Sequence, residues 1–181
     1  MQYSLLLTVF LVLSITLSGQ ASFTLKSNGL GGQATKKHEF NAFGGNGDNV
    51  SPDLFWENVP EGTKSFAITM YDPDAPTGSG WWHWLVFNIP KNVTKLVENA
   101  GNITLNLAPK GSVQSLTDYG TTGYGGPCPP VGHGFHRYII TIYALKAEKL
   151  ELKESTNPAV VGYYLWKNTI EKASIITYYK R

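Results

Sequence analysis

Two short stretches hold most of the residues that could do chemistry. In YDPDAPTGSGWWHW, residues 71–84, Asp72 and Asp74 alternate with Pro73 and Pro76, and Trp81, Trp82 and Trp84 surround His83. The prolines fix φ near about −65° and remove two backbone donors, so both carboxylates are aimed by a stiff chain. Paired carboxylates suggest acid–base chemistry or a metal, whereas the tryptophans suggest a ligand held by contact. Each aspartate alone could do no more than cap its own turn.

The second stretch, GYGGPCPPVGHGFHRY (residues 123–138), sets glycines and prolines ahead of His136 and Tyr138. Glycine lets a backbone approach a ligand closely, and proline stiffens the rest. His136 and Tyr138 stand two apart at the mouth of an expected strand, so their side chains share a face. Cys128, the single cysteine, lies in GPCPP without a neighbouring base and reads as a small packed residue. His133 and His136, with Asp74, could be arranged around zinc, but the H-x-x-H spacing falls on a glycine-containing loop that does not enforce geometry. Asp72, Asp74, His83 and His136 could also serve phosphoester hydrolysis. No G-x-S-x-G elbow or Walker loop accompanies them, and the expectation is no turnover, no metal and no cofactor.

These residues need a rigid frame. Runs rich in Val, Ile, Phe, Thr and Tyr recur at 23–27, 65–72, 83–89, 102–107 and 137–145, separated by Gly, Pro, Asn and Asp. WLVFNI and YIITIYAL are apolar at both parities, as in central strands covered on both faces. The spacing predicts a mainly β, antiparallel two-sheet architecture. Asn157-Pro158 reads as an N-cap followed by proline at the first helical position, opening a helix over 158–172 with Val161, Tyr164, Leu165 and Asn168 on one side. A strand-like SIITYYKR follows. The irregular stretches 28–58 and 110–134 are where function should sit. Trp81, Trp82 and Trp84 cannot all share one face of a regular strand, so at least one belongs to the core.

Composition narrows the class. The chain has 181 residues, enough for one domain, with 13% aromatic and 15% charged residues. A formal charge of +2 and the lack of a basic run with interleaved aromatics argue against nucleic acid. LLLTVFLVLSITL, followed by Ser18, Gly19, Gln20 and Ala21, reads as a signal peptide over residues 1–21 with a mature domain over 22–181. The expected location is periplasmic or secreted, with no membrane span after cleavage. A lone cysteine leaves the exported fold to rest on its core.

The motifs NVSPDLFW, GTKSFAITMYDPDAP, HWLVFNIP and GPCPPVGHGFHRYIITIYAL, in this order, resemble the phosphatidylethanolamine-binding protein family. GGPCPP and GSGWWHW are closer to its bacterial, Raf-kinase-inhibitor-like branch. The resemblance runs through essentially the whole mature chain. It implies an antiparallel β-sandwich flanked by a few short helices, one near the C-terminus, and a pocket for phosphate-like anions and phospholipid head groups. That pocket carries over to Asp72, Asp74, Pro76, Trp81, His83, Gly126, Pro127, His136 and Tyr138. Arg137 matches the family's arginine and is expected to hold the loops together.

Two aspartates beside an anion need neutralising, since a bare carboxylate repels it. An aspartate that accepts a hydrogen bond from an imidazole fixes its tautomer, and the second ring nitrogen can then donate to the ligand. The Gly126 backbone N–H and the Tyr138 hydroxyl would complete the shell, and a tryptophan face could hold an ammonium group. The function expected is binding of a phosphate-containing small molecule or phospholipid head group. A docked protein target, such as a protease or a kinase, is the other partner the family resemblance implies.

Overall fold

The structure, a computed structural model, describes residues 21–181. The expected signal peptide, apart from Ala21, lies outside the described residues. Eight strands and one helix follow in order: β1 (Thr24–Lys26), β2 (Leu54–Glu57), β3 (Ser65–Asp72), β4 (Trp81–Pro90), β5 (Lys95–Leu96), β6 (Val113–Gln114), β7 (His136–Leu145), α1 (Pro158–Asn168) and β8 (Thr169–Tyr179). They form a three-stranded sheet, β1-β2-β5, and a five-stranded sheet, β6-β4-β3-β7-β8, with all strand pairs antiparallel.

Strands β4, β3 and β7 are buried on both faces, as their unbroken apolar runs require. One face contributes Phe66, Ile68, Met70, Trp84, Val86, Ile140 and Ile142 to the main core, where Leu54 and Trp56 of the small sheet meet them. The other face offers Ala67, Leu85, Phe87 and Leu145 to Val161 and Leu165 of α1. Asn157 caps α1 by accepting from the Val160 N–H, with Pro158 in the first turn.

Three sequence expectations shift. The helix stops at Asn168, not 172, because the β-branched Thr169 turns extended and opens β8 with no intervening loop. Residues 102–107 form turns instead of a strand: Asn102 accepts from the Thr104 N–H and hydroxyl, a local bond that competes with any ladder, and Ile103, Leu105 and Leu107 stay exposed. Of the few small helices expected, one is present among the described residues.

Candidate functional site

Antiparallel order brings the last residue of β3, the first of β4 and the first of β7 to one end of the large sheet. Those residues are Asp72, Trp81 and His136. Asp72 pairs with Trp81 and Tyr71 with Trp82, but Met70 pairs with Trp84, leaving His83 as an extra residue in β4. This bulge breaks strict alternation. Trp82 meets Tyr71 on one face, while Trp81 and His83 turn into the cavity beside the core residue Trp84. The expectation that at least one tryptophan is core is met by Trp84, which is fully buried.

The two aspartates do different work. Asp72 is buried; its Oδ2 accepts from His136 Nδ1 at 2.7 Å and its Oδ1 from the Asp74 N–H at 2.8 Å. Asp74 turns away and binds Arg137, accepting from the guanidinium at 2.6 and 2.9 Å and from the Arg137 N–H at 2.8 Å. The Arg137 bonds hold the Asp74 carboxyl down at about 2. Arg137 therefore ties the first loop to β7, and Asp74 supports the site from behind. His136 was expected to aim its second nitrogen at a ligand. Its Nε2 instead lies 2.8 Å from Nδ1 of His133, an exposed residue between Gly132 and Gly134 at φ 78° and 92°.

His83 is a different kind of histidine. Its Nδ1 lies 2.8 and 3.1 Å from the carbonyl oxygens of Gly125 and Gly126. Carbonyls only accept, so Nδ1 carries the proton and a neutral ring leaves a lone pair on Nε2. Burial keeps the ring neutral by lowering its pKa to about 4. Three polar atoms here are buried without a partner among the described residues: His83 Nε2, Trp81 Nε1 and the Tyr138 hydroxyl. Tyr138 shares the inner face with His136, as its spacing requires. It is fully buried behind the pocket, edge-on to His83 at 5.1 Å, and burial raises its phenol pKa.

A cavity of about 400 Å³ joins these groups; Asp72, Pro76, Trp81, His83 and His136 of the expected set line it. Asp74, Gly126, Pro127 and Tyr138 do not. Gly126 is needed for close approach, but to its own protein: a Cβ there would overlap the His38 carbonyl oxygen. Its N–H, expected to face a ligand, donates to Asn49 Oδ1 at 2.8 Å, and the Pro127 carbonyl accepts from the Phe40 N–H.

The wall also contains residues that sequence reasoning missed, among them Phe43, Tyr119 and Arg181. Tyr119 donates to the Gly126 carbonyl, stacks on Phe40 and stands edge-on to both Trp81 and His83. Arg181 donates from Nε to the Pro129 carbonyl and from Nη1 to that of Gly44, with no carboxylate in ion-pair range among the described residues. A signal was present: Arg137 and Arg181 are the only arginines in a lysine-rich chain, and both stand at this end. Cys128 also faces the cavity, its thiol directed at the Ala42 and Phe43 carbonyls and its pKa raised by burial.

The family model described as phosphatidylethanolamine-binding protein matches residues 31–180. The chain belongs to this family. Among its relatives, the UPF0098 protein YbcL of Escherichia coli (strain K12) is 50% identical over 169 residues, 92% of each chain. The UPF0098 protein YbhB of the same strain is 47% identical over 145 residues, 80% of this chain and 90% of that one. The crystal structure of YbcL, described as a new member of the mammalian family, aligns with a TM-score of 0.87 at 49% identity over 89% of this chain and 99% of that one. A family homologue from Chlamydia trachomatis aligns with a TM-score of 0.72 at 28% identity, covering 88% and 98%. The phosphatidylethanolamine-binding protein motifs DPDAP and GPCPP…HRY thus meet in space: their aspartate and histidine are hydrogen-bonded across 64 residues. No cluster of three or more His, Cys, Asp or Glu suited to a metal occurs among the described residues.

Proposed function

We propose that this protein binds an anionic, phosphate-bearing head group in the Asp72–His136 cavity, without turnover, and that it is exported to the periplasm or the medium. The observation that carries the reading is the charge state of the cavity wall. Both oxygens of Asp72 are occupied by donors, from His136 and Asp74, so neither presents a bare acceptor to the cavity. The Arg181 guanidinium in the lining has no carboxylate partner among the described residues, and Trp81 Nε1–H adds a donor to the wall. An oxyanion is what such a wall accommodates; the flanking Phe43, Pro129 and Pro130 suit its apolar continuation.

Two features support binding over catalysis. The Cys128 thiol is kept protonated by burial and donates to carbonyls, and the Thr77 hydroxyl donates to the Gly80 carbonyl at 2.5 Å. Neither nucleophile on the wall has a base as its hydrogen-bond partner. The test is calorimetric titration with phosphoethanolamine at about pH 5.5 and about pH 7.5, for the wild type and His136→Ala. The expected result is saturable binding by the wild type, lost in the variant, which strips Asp72 of its imidazole donor. Absence of binding at both pH values overturns the reading.

A further inference from the structure

The polarity of the two unpartnered groups in the cavity is opposite, and this restricts what can fill it. Trp81 Nε1–H can only donate. His83 Nε2 can only accept in the tautomer that the Gly125 and Gly126 carbonyls impose on Nδ1. His83 is 2% exposed, and its Nε2 finds no donor among the described residues. An oxyanion that offers only acceptors would satisfy Trp81 and Arg181 and leave two lone pairs facing each other at His83.

Resting on the binding reading above, we propose that the pocket selects an oxyanion that also carries a hydrogen-bond donor, a P–OH or an N–H, because His83 presents a bare lone pair to the ligand. The neighbouring groups do not supply that donor. The Tyr119 hydroxyl donates to Gly126, the Cys128 thiol donates to Ala42 and Phe43, and His136 Nδ1 donates to Asp72. The Tyr138 hydroxyl lies near His83 but makes no hydrogen bond to it. Leaving a buried acceptor unpaired costs enough to weaken binding roughly ten- to hundredfold.

Asp72, Asp74, Cys128, His133, His136, Arg137 and Arg181 are, besides His83 and the buried tyrosines, the charged or titratable groups at this end, and their charges act on every anion. A charge-matched pair of probes removes that common effect. The full chain is titrated at about pH 5.5 with ethyl phosphate and dimethyl phosphate, both carrying about one negative charge there, the first with a P–OH and the second without. Sulfate, a dianion that charge alone would favour, serves as a second donor-free anion. Glycerophosphoethanolamine supplies an ammonium donor on a phosphodiester.

Ethyl phosphate, glycerophosphoethanolamine or both bind at least about tenfold more tightly than dimethyl phosphate and sulfate. Preference for the first assigns the donor to P–OH, and preference for the second assigns it to the ammonium. In the ¹⁵N-imidazole spectrum, His83 shows a protonated Nδ1 and a bare Nε2 that shifts only with the donor-bearing probes. His83→Gln, whose amide can donate or accept, levels the series. Equal affinities across the series with an unmoved Nε2 signal overturn the selectivity, assign the lone pair to the Tyr138 hydroxyl, and leave anion binding standing. If none of the probes binds, anion binding and this inference fail together.

Discussion

Strands β3, β4 and β7 run out into a cavity at each end of the sheet. At the Asp72 end the cavity is about 400 Å³ and its wall contains buried polar atoms with no partner. At the Ser65 end it is larger, about 990 Å³, and lined by Lys64, Lys91 and Lys149 around Asn88. The second end carries more positive charge, yet nothing in it is poised. Asn88, held at φ 58° in a β4 bulge, satisfies its amide by donating to the Leu150 carbonyl and accepting from the Leu150 N–H. Its lysines are solvated, with rotamers and charges that water already stabilises. Desolvated, oriented groups make a site; a count of charges does not.

Asp72→Ala provides the severest test of that contrast. It strips His136 and the Asp74 N–H of a shared buried acceptor, and the expected loss is roughly 3–5 kcal/mol in urea unfolding. Lys64→Ala should stay within about 0.5 kcal/mol. If the two variants unfold alike, the two ends do not differ in the way described.

Acid should find the next largest difference. His83 sits at about 4 when folded and near its ordinary value when unfolded, because burial disfavours its charge. The unfolded chain therefore takes up a proton that the folded one refuses, and stability falls as pH drops from about 6.5 to about 4. The full term is on the order of 3 kcal/mol. His38 shifts in the same direction, also chiefly through burial, so the His83 share is read as the part of the slope that His83→Gln removes. Asp74 acts in a separate and more acid window, between its ordinary value and about 2. A wild-type profile that stays flat down to pH 4 would mean that His83 takes a proton freely, and the tautomer argument would go with it.

Asn88→Ala sharpens the comparison from the other side. It removes both bonds to Leu150 and places a Cβ residue without an amide in a left-handed conformation. A cost of about 2 kcal/mol in stability is expected, with anion affinity at the Asp72 end unchanged. A fall in affinity comparable with that of the stability would show that the two ends are mechanically coupled through β4.

Much of this was legible in the sequence, and the failures have physical causes. The runs rich in β-branched and aromatic residues located β3 and β7 within a residue, and Asn157-Pro158 fixed the start of α1. The pairing of an aspartate with an imidazole followed from the need to neutralise a carboxylate beside an anion. Alternation could not reveal the bulge that points Trp81, His83 and Trp84 to the same side, because a bulge is a property of two strands. The partner of His136 Nε2 escaped for a similar reason: His133 reaches it only through the left-handed glycines on either side. Strands β5 and β6, two residues each, are too short to leave a period. Tyr119 comes from a distant loop and Arg181 from the segment after β8, and no local pattern joins either to the motifs.

The smallest effect is expected from the lysines. β3 spans eight residues between the two cavities, or roughly 26 Å at the usual rise of a strand. At about 0.15 M salt, charges are screened over about 8 Å, so the three lysines lie several screening lengths from the Asp72 cavity. Replacing Lys64, Lys91 and Lys149 together by alanine should change anion affinity there by less than about twofold. At about 0.01 M the screening length grows to about 30 Å, comparable with the separation, and a modest loss should emerge. Titrations of the triple variant at both salt concentrations separate the two regimes. A large loss at the higher salt would mean that the anion binds at the basic end, and that its solvated lysines outweigh the buried groups around Asp72.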